Sequence, residues 1–134
     1  MLLPAPPATA SDAEREAIDE LNQVRRANGV PALRVSESLN RSSGRYARRM
    51  LRRDFFGHGS RIDVAGEFRS AGETIAWHSG WNAQPRRTVR RWIASPGHRA
   101  VLLSSAFRWL GMGLARGRLG SQVATTWVAH VGSR

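Results

Sequence analysis

Few side chains in these 134 residues can do chemistry. There are four histidines, His58, His78, His98 and His130, and beyond residue 30 the only carboxylates are Glu37, Asp54, Asp63, Glu67 and Glu73. Imidazole and carboxylate together offer general acid-base catalysis or ligation of a divalent ion, and catalytic zinc typically takes three such ligands plus water. No local zinc signature such as HExxH is present, so any site must be assembled from distant segments. Taken singly, a histidine is more often structural or solvated than a ligand. The chain has no cysteine, which excludes thiol catalysis, zinc-finger modules and disulfide scaffolds and leaves the redox compartment open.

The elements that must position these groups can be read from local signals. Residues 1–11, rich in proline and alanine and uncharged, read as a tail or linker, and Pro4 interrupts the apolar stretch that a complete secretory signal needs. Residues 12–134 are expected to form one domain. Ser11 and Glu14 make a capping-box pattern, and Ala13, Ala17, Ile18, Leu21 and Val24 recur at helical steps, which predicts a helix over 12–28 ending at Asn28-Gly29. Ser36 opens a second helix with Leu39, Tyr46, Ala47, Met50 and Leu51 on one side. Its other side carries Arg41, Arg45, Arg48, Arg49, Arg52 and Arg53, a pattern that more often marks a solvated face than a binding surface.

From Phe55 to Gly72 the periodicity is lost and a long surface loop is expected. A short strand over 73–77, a turn-rich stretch over 78–85, a helix over 88–94 and another over 98–103 follow. The apolar runs 109–115 and 123–131 form a hairpin. Of the five tryptophans, Trp92, Trp109 and Trp127 are expected in the core, while Trp77 and Trp81 flank a loop where they could line a groove.

Charge sets the remaining bounds. There are 21 basic residues, every one an arginine, against 10 acidic ones, giving a net charge of +11. The absence of lysine reads as a GC-rich codon bias. The charge nevertheless draws the chain to polyanions, with strong salt dependence. No nucleic-acid reader motif accompanies the arginines, so nucleic acid ranks behind other anionic partners. No apolar run approaches the roughly 18 to 20 residues of a membrane span.

Several strings, in this order and spacing, resemble the CAP superfamily of cysteine-rich secretory, antigen 5 and pathogenesis-related proteins, in its bacterial SCP-like branch. They are Leu21-Asn22-Gln23-Val24-Arg25, Phe55-Phe56-Gly57-His58-Gly59-Ser60, Ala71-Gly72-Glu73-Thr74-Ile75-Ala76, Ser95-Pro96-Gly97-His98-Arg99, Leu110-Gly111-Met112-Gly113 and Thr126-Trp127-Val128. The combination of Gly-Glu-x-Ile with Ser-Pro-Gly-His-Arg is the specific part. The resemblance implies an α+β fold, an α-β-α sandwich with a small antiparallel sheet between helical layers. It further implies a secreted or cell-envelope protein whose central cleft holds His58, Glu73 and His98, with Ser60 and Ser95 near them. In several members such a cleft binds Zn2+ or another divalent cation, here through His58, His98 and Glu73, with Glu73 the candidate catalytic residue. Ser95 stands where eukaryotic members have a second glutamate, and Val101 where the family has an asparagine. No family role carries over to His78 or His130. Two functions compete: a noncatalytic module binding an extracellular anionic polymer, cell-wall or lipid ligand, and a metal-assisted, peptidase-like hydrolase using the same cleft. The chain is expected to be a monomer.

Overall fold

The computed structural model describes residues 11–134, so the tail expected over 1–11 lies outside the described residues except for Ser11. The order is α1 (Asp12–Ala27), β1 (Arg34–Val35), α2 (Glu37–Arg52), β2 (Ser70–Ser79), α3 (Pro85–Ala94), α4 (Pro96–Leu102), β3 (Trp109–Leu119) and β4 (Gln122–Ser133). The helix starts obey local chemistry. The Ser11 hydroxyl accepts from the Glu14 amide while the Glu14 carboxylate accepts from the Ser11 amide, and Ser36 caps α2 through the Leu39 amide. Pro85 and Pro96 occupy first-turn positions of α3 and α4, where a missing N–H costs nothing, so each helix starts two or three residues earlier than apolar periodicity alone places it.

The four strands form one sheet in the order β1-β3-β4-β2. β3 pairs antiparallel with β4, and β4 with β2, whereas the two-residue β1 pairs parallel with β3. The sheet is therefore mixed rather than purely antiparallel. β1 is too short to leave a periodic signal. β2 is twice the expected length and takes in His78 and Ser79, because its whole run from Ser70 to Ser79 finds partners on β4.

Helices cover both faces. On one, α1, α3 and α4 enclose a core of Leu21, Trp92, Leu102, Trp127 and Val131. On the other, α2 lies against the sheet over Ala47, Met50, Ile75 and Val128. Gly111 and Gly113 of β3 allow this close approach. A Cβ on Gly111 would stand 1.9 Å from the Leu39 carbonyl carbon, and one on Gly113 2.4 Å from the Gly44 nitrogen. Any side chain there would lift α2 off the sheet. The Leu-Asn-x-x-Arg motif is also structural. Asn22 pairs through its amide with both backbone groups of Leu33, and the fully buried Arg25 donates to the carbonyls of Pro31, Leu102, Ser104 and Phe107. This guanidinium knits α1 to the segments flanking β1 and β3. Trp92 and Trp127 are core residues as expected, whereas Trp109 is only half-buried and stacks under the Arg134 guanidinium at 3.8 Å.

Candidate functional site

The close packing of α2 on the sheet brings a chain of polar groups together. Glu73, on edge strand β2, sits directly opposite His130 of β4, so both side chains leave the same face. That face is covered by α2, whose Ser42 and Ser43 are held at contact distance by the glycines of β3. Glu73 Oε2 lies 2.7 Å from His130 Nε2, and His130 Nδ1 lies 2.7 Å from Ser42 Oγ. Ser43 Oγ accepts from the His130 amide and donates to the Gly111 carbonyl. From the loop of residues 53–69, His58 brings Nδ1 to 2.7 Å from the other carboxylate oxygen, Oε1. The Glu73 and His130 side chains are 4% and 2% exposed, and that of His58 is 56% exposed. A buried carboxylate is thus clamped between one buried and one exposed imidazole.

The electrostatics follow from that clamp. Burial alone would push the Glu73 carboxyl upward, but the hydrogen bonds and charges of His130 and His58 outweigh it and hold the group below the usual carboxylate range. Ionised, Glu73 accepts from His58 Nδ1–H and His130 Nε2–H. The single Ser42 proton then has two acceptors within reach, His130 Nδ1 and the Leu39 carbonyl at 3.1 Å. It points to His130 when that ring is neutral and to Leu39 when the ring carries both protons. Every atom of the cluster stays satisfied either way.

His98 is not part of this chain of bonds. Its Nδ1 is buried with no hydrogen-bond partner, and burial, with a smaller contribution from the His58 charge, lowers its pKa. Loss of water thus favours the neutral ring. His98 lines a cavity of about 320 Å3 at the β2 edge, together with Phe56, Trp77, Trp92 and Ser95. Trp77 thus faces a cavity as its loop-flanking place suggested, while Trp81 is 57% exposed and lines neither cavity. His78 hydrogen-bonds the Asn82 carbonyl in the turn after β2.

A second cavity, of about 460 Å3, lies between α2 and the 53–69 loop. Tyr46 ties that loop down by donating to the Gly57 carbonyl, with its ring edge-on to Phe55 at a centroid separation of 6.4 Å. Ser42 and His130 contribute to the cavity wall, as do Ser60 and the arginines 45, 48, 49, 52 and 61. Ser60 and Ser95, expected to share one cleft, thus line different cavities. The arginine stripe is exposed, as a solvated face is, and four of its six members, Arg45, Arg48, Arg49 and Arg52, also line this cavity because the loop folds back beside α2.

Whether these residues suit a metal can be judged from the donors. Both Glu73 oxygens are engaged by imidazole nitrogens, and among the described residues no group of three or more His, Asp or Glu side chains is placed to hold a metal ion. The three donors His58, His98 and Glu73 do not converge as a ligand set in this arrangement.

The model of the CAP family, described as the cysteine-rich secretory protein family, matches residues 18–131. The chain belongs to the CAP family. It does so without a single cysteine. It is 28% identical over 116 residues to the uncharacterized protein YkwD of Bacillus subtilis, covering 80% of this chain and 44% of that protein, so it spans less than half of that relative's length. Its fold is similar to that of an outer surface protein from Borrelia burgdorferi, with a TM-score of 0.75 and 18% identity over 94% of this chain and 96% of that one. NaASP2, solved with Zn2+, has the same fold, with a TM-score of 0.72 and 12% identity over 96% of this chain and 84% of that one. A zinc-containing structure therefore exists for a CAP-fold protein. Among the described residues no helix is long and apolar enough to cross a membrane.

His130 is the residue that sequence reasoning missed. Its signal was weak: it stands in the apolar alternation of the last strand, and its partners lie 57 and 88 residues away. A histidine at a core-facing strand position needs a buried partner, and that requirement was the available clue.

Proposed function

We propose that this CAP domain is a secreted or envelope-associated binding module, without turnover of its own, for an anionic extracellular polymer or lipid such as a cell-wall component. The reading rests on one observation above others: the chain carries 21 arginines against 10 carboxylates, and among the described residues only Arg15, Arg90 and Arg134 pair with carboxylates, so most guanidinium groups have no carboxylate partner. Surface guanidinium groups without partners recruit polyanions, and counterion release makes that recruitment salt-sensitive. The family and the outer-surface neighbour favour an extracellular setting. The closed state of Glu73 favours binding over catalysis, because a carboxylate that already accepts from two imidazoles offers neither a free general base nor a third metal ligand.

In this reading the bonded pair of His58 and Glu73 is a positioning framework at the β2 edge, with His98 and Ser95 in the neighbouring cavity and Ser60 in the other. A divalent ion would find two imidazoles, His58 and His98, with Glu73 behind His58 as a hydrogen-bond acceptor, a role that orients a ligand without binding the metal.

The test is co-sedimentation of the full chain with purified bacterial cell-wall material and with anionic vesicles at low and high salt, beside a peptide and ester panel with and without zinc. The proposal expects salt-sensitive pelleting and no turnover. Zinc-dependent cleavage lost in Glu73→Gln, with the fold intact, would replace it with the metal-assisted hydrolase. Calorimetric zinc titration of the chain and of His58→Ala and His98→Ala measures directly whether the two imidazoles hold an ion.

A further inference from the structure

The cavity between α2 and the 53–69 loop is lined by five arginines against one carboxylate, Asp63. None of Arg45, Arg48, Arg49, Arg52 and Arg61 makes an ion pair or a side-chain hydrogen bond among the described residues. We propose that this cavity is the binding site for a compact ligand carrying two or more phosphate-monoester groups. The inference rests on the anion-binding reading above and gives it a place and a ligand class.

Size, spacing and charge carry the assignment. A volume of about 460 Å3 is that of a small-molecule site and not of a flat track for a long polymer. Residues 45 to 52 span about 10 Å along the helix axis at 1.5 Å per residue. Guanidinium groups rooted over that length are engaged together more fully by two anionic groups than by one tetrahedral oxyanion, which favours a ligand that presents at least two. Guanidinium forks bind phosphate through paired N–H donors. Five guanidinium groups against Asp63 leave an excess that two monoesters, at roughly −1.5 to −2 each, would balance. Ser60, exposed and without a partner at the rim, adds a neutral hydroxyl for an ester or sugar oxygen. The Ser42 and His130 pair forms a part of the wall already satisfied within the protein, so it supplies shape and not charge.

The two monoesters could belong to a soluble metabolite-sized molecule or to a lipid headgroup, and the experiment separates these sources. The full chain is titrated calorimetrically with fructose 1,6-bisphosphate as the compact bis-monoester probe and with fructose 6-phosphate as its single-monoester control. The Arg45→Ala/Arg49→Ala variant is compared with Arg86→Ala/Arg87→Ala, which removes the same charge from exposed positions of α3. Saturable one-to-one binding of the bisphosphate is expected, at least tenfold weaker for the monophosphate and for the cavity variant and within twofold of wild type for the α3 variant. Co-sedimentation with phosphatidylcholine vesicles containing phosphatidylinositol 4,5-bisphosphate, whose headgroup carries two monoesters, or phosphatidylglycerol, a diester, reads the source. Capture by the bis-monoester lipid alone that is lost in the cavity variant assigns the site to a headgroup, and soluble bisphosphate binding without vesicle capture assigns it to a soluble ligand. Equal losses in the two double variants, or no saturable binding of either probe, overturn the proposal. If wild type pellets with cell-wall material in a salt-sensitive way but shows no saturable binding of the bisphosphate, the anion-binding reading stands and only this site falls. If wild type pellets with no anionic material and binds neither soluble probe, both fall.

Discussion

Two polar regions share the space beneath α2 and behave in opposite ways. In the Glu73, His130 and Ser42 cluster each titratable side chain has a partner, at 2.7 Å in each of the three linking contacts. In the neighbouring cavity the five arginines have no protein partner. Closure is what a structural network needs, because an unpaired buried group costs its full desolvation. Exposed guanidinium groups have no such cost and remain available to a ligand. Their repulsion has only a small cost: like charges three or four apart on a helix destabilise it by about 0.2–0.5 kcal/mol per pair. The contrast separates a cluster whose polar groups are closed on one another from a stripe whose guanidinium groups have no protein partner, which is the difference the proposed anion site rests on.

The contrast can be broken most severely at Gly111. Gly111→Ala drives a Cβ into the α2 backbone, lifts Ser42 and Ser43 away from His130 and should cost more than about 3 kcal/mol, read by urea unfolding. Next, His130→Ala leaves the buried Glu73 charge with only His58 and should cost about 3–5 kcal/mol in the same assay. A loss below about 1 kcal/mol would mean that the cluster is not structural.

Acid sharpens the comparison on one side only. The Glu73 pKa is depressed in the folded state, so its contribution is fully present above the unfolded carboxylate value, near 4.5, and is lost as pH falls through the lower folded value. The His98 pKa is also depressed, so stability declines as pH falls from its unfolded value, near 6.5, toward its folded one. Stability against pH should therefore fall in two limbs, the upper one removed by His98→Leu and the lower one by Glu73→Gln. The smallest effect belongs to the arginines. Arg45→Ala/Arg49→Ala should change unfolding free energy by no more than about 0.5 kcal/mol, because exposed side chains without partners stabilise nothing.

What was legible in the sequence was local or carried by the family motifs. Ser11 with Glu14 and Ser36 mark helix starts because capping acts within a turn, whereas the helices that begin at Pro85 and Pro96 were expected only from 88 and 98, where apolar periodicity sets in. The family strings pointed to His58, Glu73 and His98, and the structure bonds the first two while leaving His98 in a separate apolar cavity. The rest depended on tertiary approach. β1 exists only because two residues meet β3, and His130 matters only because Gly111 lets α2 descend onto it. The arginine stripe could not be told from a solvated face, since helical spacing is the same whether or not a loop later folds over it. The Gly-x-Gly of β3 was visible as a motif, and its meaning as a contact surface for α2 was not.

The most direct test of the account is the shift in melting temperature caused by fructose 1,6-bisphosphate in three proteins at one ionic strength: wild type, Arg45→Ala/Arg49→Ala and His130→Ala. His130→Ala is expected to start from a low melting temperature and keep the ligand-induced rise, and the arginine variant to start from a normal one and lose the rise. A rise that survives in the arginine variant and vanishes in a folded His130→Ala would contradict it, placing the ligand on the histidine cluster and making the arginines bystanders.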